Sequence, residues 1–190
     1  MILRTEIASR PRAGETFNGD AAVALSRSGR HLLALVDGLG HGEAAHLAAS
    51  AALDHLHTWE PATPLVEVLG GLDRALRNTR GAAVAVCTVS EGTLRGASVG
   101  NVSVRATGFA LPFVPTPGVV GAQHVTPRVF AAALPTTFRL CLFSDGVSAR
   151  LTLEELAGVE LATAASRMLR QFSHHHDDAT LLLAEPGGAP

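Results

Sequence analysis

Short apolar runs of strand length, several ending in an acidic residue and a glycine, alternate along the chain with Ala- and Leu-rich segments of helical period. Residues 2–8 alternate well enough for a first strand, and residues 21–26 for a second. A Ser28-Gly29 turn leads into a third, at 31–36, whose unbroken run from Leu32 to Val36 is the pattern of a strand buried on both faces. Residues 43–57 then place Ala45, Ala49, Ala52, Leu53 and Leu56 on one stripe, which predicts a helix packed closely on a sheet. A second helix is expected with Thr63 as N-cap, Pro64 in its first turn and a face of Leu65, Val68, Leu69, Leu72 and Leu76. Gly70-Gly71 interrupts it at a cost in helix propensity, and Trp59 between the two helices reads as a core or hinge filler. Segments 82–90, 93–99 and 102–107 predict strands joined by Glu91-Gly92 and Gly100-Asn101 as one antiparallel meander.

Residues 108–135 carry Pro112, Pro115, Pro117, Pro127 and Pro135 and break the regular pattern, with short strands expected around 119–125 and 129–133. The run 138–143 is again of the buried type. Thr152-Leu153-Glu154-Glu155 has the form of a capping box ahead of a helix through Leu161, Ala165, Met168, Leu169 and Phe172. A last strand is expected at 181–185, followed by a disordered tail, 186–190.

The third strand stops in Asp37-Gly38-Leu39-Gly40-His41-Gly42. A carboxylate at the rim of a core needs a cation, a hydrogen-bonding loop or a metal ion, and the glycines allow unusual backbone angles and close approach of a ligand. Three readings compete. A phosphate-cradling turn shares the strand–glycine–helix order, but its spacing is G-x-G-x-x-G and it has no acid in front. A tight turn with only a structural role is the second. The third makes Asp37 a ligand of a hard divalent cation, and it requires other acids at neighbouring strand ends.

Such acids are present. Asp20 precedes the second strand, so in a hairpin it meets Asp37 at one edge. Phe143 runs into Ser144-Asp145-Gly146, the second apolar strand to end in Asp-Gly, and Asp177-Asp178 stand just before the last strand. Clustered carboxylates repel one another unless cations neutralise them. All-oxygen donors favour magnesium or manganese over zinc. Two such ions can share a water, lower its pKa and orient a phosphoryl group for in-line attack.

Composition narrows the classes. At 190 residues, 47% hydrophobic and 17% charged, the chain suits one domain, expected over 1–185. A net charge of −2 offers no broad attraction to nucleic acid or to an acidic membrane. No apolar run approaches the ~20 residues of a membrane span, and Met1-Ile2-Leu3-Arg4-Thr5-Glu6 is too short and charged for a signal peptide. A cytoplasmic protein is expected. The two cysteines, Cys87 and Cys141, lie in apolar runs and read as buried free thiols. No serine stands on a G-x-S-x-G elbow, so a covalent nucleophile is unsupported and direct hydrolysis of a phosphoester is inferred. His174-His175-His176 cannot all face one ion and reads as a solvated run, while His46, His55 and His57 read as surface or packing residues.

In order and spacing, Gly19-Asp20, Asp37-Gly38-Leu39-Gly40-His41-Gly42, Ser144-Asp145-Gly146 and Asp177-Asp178-Ala179-Thr180 resemble the metal-dependent protein serine/threonine phosphatases. The likeness is to the bacterial SpoIIE/RsbU/RsbX type, with the bare catalytic domain of the RsbX kind nearest, and covers about residues 15–185. It implies an α+β fold, a four-layer α/β/β/α sandwich of two antiparallel sheets flanked by helices, with the metal site at one end. It further implies two manganese or magnesium ions. Asp20, Asp37 and the Gly38 carbonyl would serve them, with Asp145 and Asp177 on the second ion and Asp178 in an outer-shell or alternative ligand role. Asp20, Asp37 and Asp145 would act in catalysis through metal-activated water, and His41 is a lesser candidate for a catalytic acid. The arginine that holds phosphate in eukaryotic members has no aligned match; Arg10 and Arg12 lie nearby. The implied substrates are phosphoserine or phosphothreonine on STAS-domain regulators, in a partner-switching pathway with a serine kinase. No sensor, receiver or anchor is expected beside the domain. The alternatives are a non-catalytic binding module of the same fold that sequesters a regulator, and a small-molecule phosphomonoesterase.

Overall fold

The computed structural model of the chain describes residues 1–156 and 158–187. In chain order its elements are β1 (Leu3–Arg10), β2 (Asp20–Arg27), β3 (Arg30–Gly38), α1 (Glu43–His57), α2 (Leu65–Leu76), β4 (Ala82–Ser90), β5 (Thr93–Val99), β6 (Ser103–Thr107), β7 (Phe130–Ala133), β8 (Arg139–Phe143), α3 (Leu161–Phe172) and β9 (Ala179–Pro186). One sheet has the order β2-β3-β4-β5-β7 and the other β1-β9-β8-β6. Every strand pairing in both is antiparallel.

The strands buried on both faces explain the layering. In β3, Leu32, Ala34 and Val36 join the core beneath α1 and α2, whereas Leu33 and Leu35 join the core between the sheets. β4 divides in the same way, with Val84 and Val86 toward the helices and Ala85 and Cys87 toward the other sheet. In the second sheet, Leu140, Leu142, Leu182 and Ala184 face inward, while Cys141, Phe143, Leu181 and Leu183 pack under α3. Three apolar layers therefore separate four layers of structure, α/β/β/α, as the resemblance implied. α1 rests on Ala45, Ala48, Ala49 and Ala52, whose small side chains bring the helix axis close to β2 and β3.

Gly70-Gly71 has a packing reason. A Cβ on Gly71 would stand 2.1 Å from His55 Nε2 of α1, so the pair lets α1 and α2 approach at the expense of helix propensity. The β2–β3 turn takes Ser28 and Gly29 to positive φ (48° and 72°), the combination that suits the twist of a two-residue hairpin.

Five expectations change. Segments 93–99 and 102–107 do not continue one meander, because Gly100-Asn101 carries the chain from one sheet to the other. That corner is held by Gly100 N–H donating to Thr116 O at 2.9 Å and by Ser98 Oγ–H donating to Val102 O at 2.7 Å. Residues 119–125 form no named strand; Val120 makes a single bridge to Ala82. The capping-box segment starts only a 3₁₀ turn, Glu154–Leu156. α3 is capped instead by Glu160, whose carboxylate accepts from Ala162 N–H and Thr163 N–H. The N-cap position of α2 is Pro64 rather than Thr63. The expected tail begins later than 186, since Pro186 ends β9 and Gly187 N–H donates to Ile2 O; residues 188–190 lie outside the described residues.

Candidate metal centre

The two sheets repeat one device. In the first, Asp20 at the start of β2 is the register partner of Asp37 in the last turn of β3. In the second, Phe143 at the end of β8 pairs with Leu181 of β9, so Asp145 and the Asp177-Asp178 pair emerge beside one another. The sandwich brings the two acidic ends together. Ser144 Oγ–H donates to Asp20 Oδ2 at 2.6 Å across the sheets, and Thr180 N–H donates to Ser144 Oγ at 3.1 Å. A cavity of about 580 Å³ opens at this end. Asp37, Asp145 and Asp177 line it, with Arg12, His41 and Asn101 among its other walls.

Charge in this site is uncompensated. Burial, then the carboxylates of Asp20, Asp145 and Asp177, push the Asp37 carboxyl up to about 9, and its own hydrogen bond with Asp145 adds to the rise. Burial pushes Asp20 up to about 7 against the lowering effect of the Ser144 hydroxyl, with Asp178 and Asp145 adding repulsion. Asp177 is raised in the same sense by burial and by Asp145. Among the described residues, no three acidic, imidazole or thiol side chains close on one point at ligand spacing. The donor set nevertheless fits hard divalent cations. It is wholly oxygen, Asp37, Asp145 and Asp177 border one cavity, and burial with mutual repulsion raises Asp20, Asp37 and Asp177 in a way a divalent cation would offset.

The glycines are placed by contact as much as by conformation. Gly40 and Gly42 have positive φ (93° and 72°). Gly38 has none; a Cβ there would meet Ala45 O of α1 at 2.2 Å. Gly38 N–H donates to Gly19 O at 3.0 Å, which ties the two glycine stations together.

The remaining candidates separate into lining and support. Asp178 is buried, and its two carboxylate oxygens accept from Arg12 N–H at 2.8 Å and Gly19 N–H at 3.0 Å. The Arg10 guanidinium is occupied by Ser173 Oγ and by the carbonyls of Pro11, His174 and Asp177, whereas Arg12 reaches the cavity wall. His41 stands at the cavity edge with Nδ1 3.1 Å from Glu15 Oε1. In the triple histidine run, His174 and His176 stack on each other and His176 borders the cavity. His46 Nδ1 lies 3.0 Å from Asn18 O. Cys87 and Cys141 are buried free thiols; burial pushes Cys87 up to about 12 and raises Cys141 as well.

Two supporting residues escape sequence reasoning. Asn101 Nδ2–H donates to Asp145 Oδ2 at 2.5 Å from the inter-sheet corner, and Asn18 Oδ1 accepts from Asp20 N–H at 3.0 Å. Asn18 sits in the Asn18-Gly19-Asp20 turn and was open to a turn reading. Asn101 reads as a hairpin residue until the change of sheet is known.

No family model matches the sequence, and no curated protein matches it. Solved structures do. A chain from work on the bacterial stressosome, described as a modular system adapted to control secondary messenger signalling, is 28% identical. Its TM-score is 0.91 over 97% of this chain and 100% of that one. RsbX in complex with magnesium is 19% identical, with a TM-score of 0.85 over 96% and 94% of the two chains. The catalytic domain of the serine/threonine protein phosphatase PstP in complex with two manganese ions is 19% identical, with a TM-score of 0.74 over 96% and 97%. The fold is that of the metal-dependent serine/threonine phosphatases. Among the described residues no helix is long and apolar enough to cross a membrane.

Proposed function

We propose that residues 1–185 form one catalytic domain, a cytoplasmic, metal-dependent phosphatase that hydrolyses phosphoserine or phosphothreonine on a STAS-domain regulator. Its pathway would be a bacterial partner-switching one that also contains a serine kinase. The observation that carries this reading is that Asp37, Asp145 and Asp177, brought from two different sheets, line one open cavity, with Asp20 beside them as the register partner of Asp37. Likeness to a stressosome-derived chain and to RsbX supports the regulatory setting. In this reading Asp20, Asp37, the Gly38 carbonyl, Asp145 and Asp177 hold manganese or magnesium, two ions in all, and Asp178 stands behind them. When bound, such ions supply a water of lowered pKa and positive charge for the phosphoryl oxygens.

The chain's own residues do the rest. Ser144 and Asn101 orient Asp20 and Asp145 by hydrogen bonds of 2.6 and 2.5 Å. Arg12, on the cavity wall, offers a guanidinium to a phosphate dianion. His41, with Nδ1 toward Glu15, keeps Nε2 available to give a proton to a leaving oxygen. Arg12→Ala is expected to raise KM for an aryl phosphate about tenfold with a smaller change in kcat, the pattern of lost phosphate binding; steady-state kinetics check it.

The first test is hydrolysis of p-nitrophenyl phosphate with manganese, with and without EDTA. Turnover that manganese supports and EDTA abolishes is the expected result. Manganese binding by calorimetry without turnover on this compound or on a phosphorylated STAS-domain protein would favour the non-catalytic binding module. Turnover on small phosphomonoesters but not on the phosphoprotein would favour the small-molecule enzyme. Absence of manganese binding would overturn the proposal.

A further inference from the structure

Asp178 is an expensive residue to bury. It is 3% exposed and lies close to Asp20 and Asp177, so its charge raises the cost of ionising both. It does not border the cavity that Asp37, Asp145 and Asp177 line, among the described residues. Its two oxygens accept from Arg12 N–H (2.8 Å) and Gly19 N–H (3.0 Å), 166 and 159 residues distant in the chain. Its backbone is equally engaged: Asp178 N–H donates to Asp177 Oδ1 at 3.0 Å. A Cβ on Gly19 would meet Asp178 Oδ2 at 2.8 Å, and a Cβ on Gly146 would meet Asp178 O at 1.7 Å. The glycine that precedes Asp20 and the glycine that follows Asp145 are thus both packed against this one residue.

We infer that Asp178 is a positioning residue whose carboxylate, by accepting from the amides of Arg12 and Gly19, fixes the 11–19 loop so that Arg12 faces the cavity and Asp20 meets the opposite sheet. This rests on the proposed phosphatase reading for its kinetic consequence, though not for its structural one. Charge-assisted bonds to two amides repay part of the burial cost and fix the orientation of the carboxylate. The loop has other ties, none of them to the amides of Arg12 or Gly19: Asn18 Nδ2–H donates to Ser9 Oγ at 2.7 Å, His46 Nδ1 lies 3.0 Å from Asn18 O, and His41 Nδ1 lies 3.1 Å from Glu15 Oε1. Ala13 N–H donates to His175 O at 3.2 Å, and Gly38 N–H donates to Gly19 O at 3.0 Å.

The test compares the full-length protein with Asp178→Ala and Asp178→Asn, the second retaining one acceptor. In the unsubstituted protein, amide exchange by NMR should show Arg12 and Gly19 protected. Asp178→Ala should lose both protections while β3 and β4 keep theirs, and Asp178→Asn should lose one. With manganese and p-nitrophenyl phosphate, Asp178→Ala should raise KM more than tenfold while calorimetry gives the same number of bound manganese ions, and Asp178→Asn should lie between. Loss of one ion per chain in either variant while the amides of Arg12 and Gly19 keep their protection would make Asp178 a ligand and overturn the inference. Unchanged KM in folded Asp178→Asn and Asp178→Ala, or exchange at Arg12 and Gly19 that ignores the substitution, would overturn it too. If the unsubstituted protein neither binds manganese nor turns over, the phosphatase reading fails, and the exchange pattern still decides the role of Asp178.

Discussion

Asp37→Asn is expected to abolish manganese-dependent turnover, by at least about 10²-fold, and to raise the melting temperature of the metal-free protein at neutral pH by about 3 °C or more. The two effects have one cause. Asp37 is held among Asp20, Asp145 and Asp177 with burial and repulsion both disfavouring its charge. Asparagine keeps the shape and a hydrogen-bonding oxygen but removes the charge that a divalent ion would need. In the absence of metal the native carboxyl keeps its proton up to about 9, against an ordinary value of 3.8 for a free aspartate. The native state therefore binds more protons than the unfolded chain across that window, and stability falls as pH rises through it. The advantage of the variant should be absent near pH 4, grow through neutral pH and reach its full size above about pH 9. Thermal melts with EDTA at several pH values, beside kinetics with manganese, check both halves. A variant that melts lower than the parent at pH 8 would show that Asp37 is held by a contact other than charge repulsion.

Gly146→Ala is expected to be among the most damaging single-methyl changes in the chain. The added carbon would lie 1.7 Å from Asp178 O and 2.8 Å from Asp178 C, and backbone atoms cannot rotate away as a flexible side chain can. Relief requires the 144–147 turn to move off the start of β9. That breaks Val147 N–H to Ser144 O (3.0 Å) and His174 N–H to Gly146 O (2.8 Å) before any apolar contact is lost. A cost of about 3 kcal/mol follows for overpacking against backbone, or a fall of about 10 °C in melting temperature for a domain of this size. Because the turn carries Asp145, manganese affinity should fall in the same variant even at temperatures where it is folded. Calorimetry at 10 °C beside a thermal melt separates the two. A melting temperature within 2 °C of the parent would mean that the turn and β9 have slack that their hydrogen bonds do not show.

The elements legible from the chain alone were those with a strong local signal. α1 occupies residues 43–57 as its alanine stripe required, and β3 and β8 are buried on both faces as their unbroken apolar runs required. The meeting of Asp20 and Asp37 was also legible, because a two-residue turn sets the register of a hairpin. Where the signal was ambiguous the reading failed. Gly100-Asn101 has the composition of a hairpin turn and serves as a crossing between sheets. Thr152 begins a capping-box pattern, yet the helix it announces starts at Leu161 under a different cap.

The sequence by itself determined which acids end which strands, since an apolar run can stop only where a polar group can leave the core. It could not determine which acid ends would face one another, because that depends on how two sheets stack, and stacking is decided by the summed fit of three apolar layers with no local signature. Tertiary structure alone brought Ser144 onto Asp20, Asn101 onto Asp145 and the amides of Arg12 and Gly19 onto Asp178. Each of those bonds joins residues more than forty positions apart, and each exists only because a hydrogen bond is satisfied within about 3 Å, a distance that chain order cannot specify.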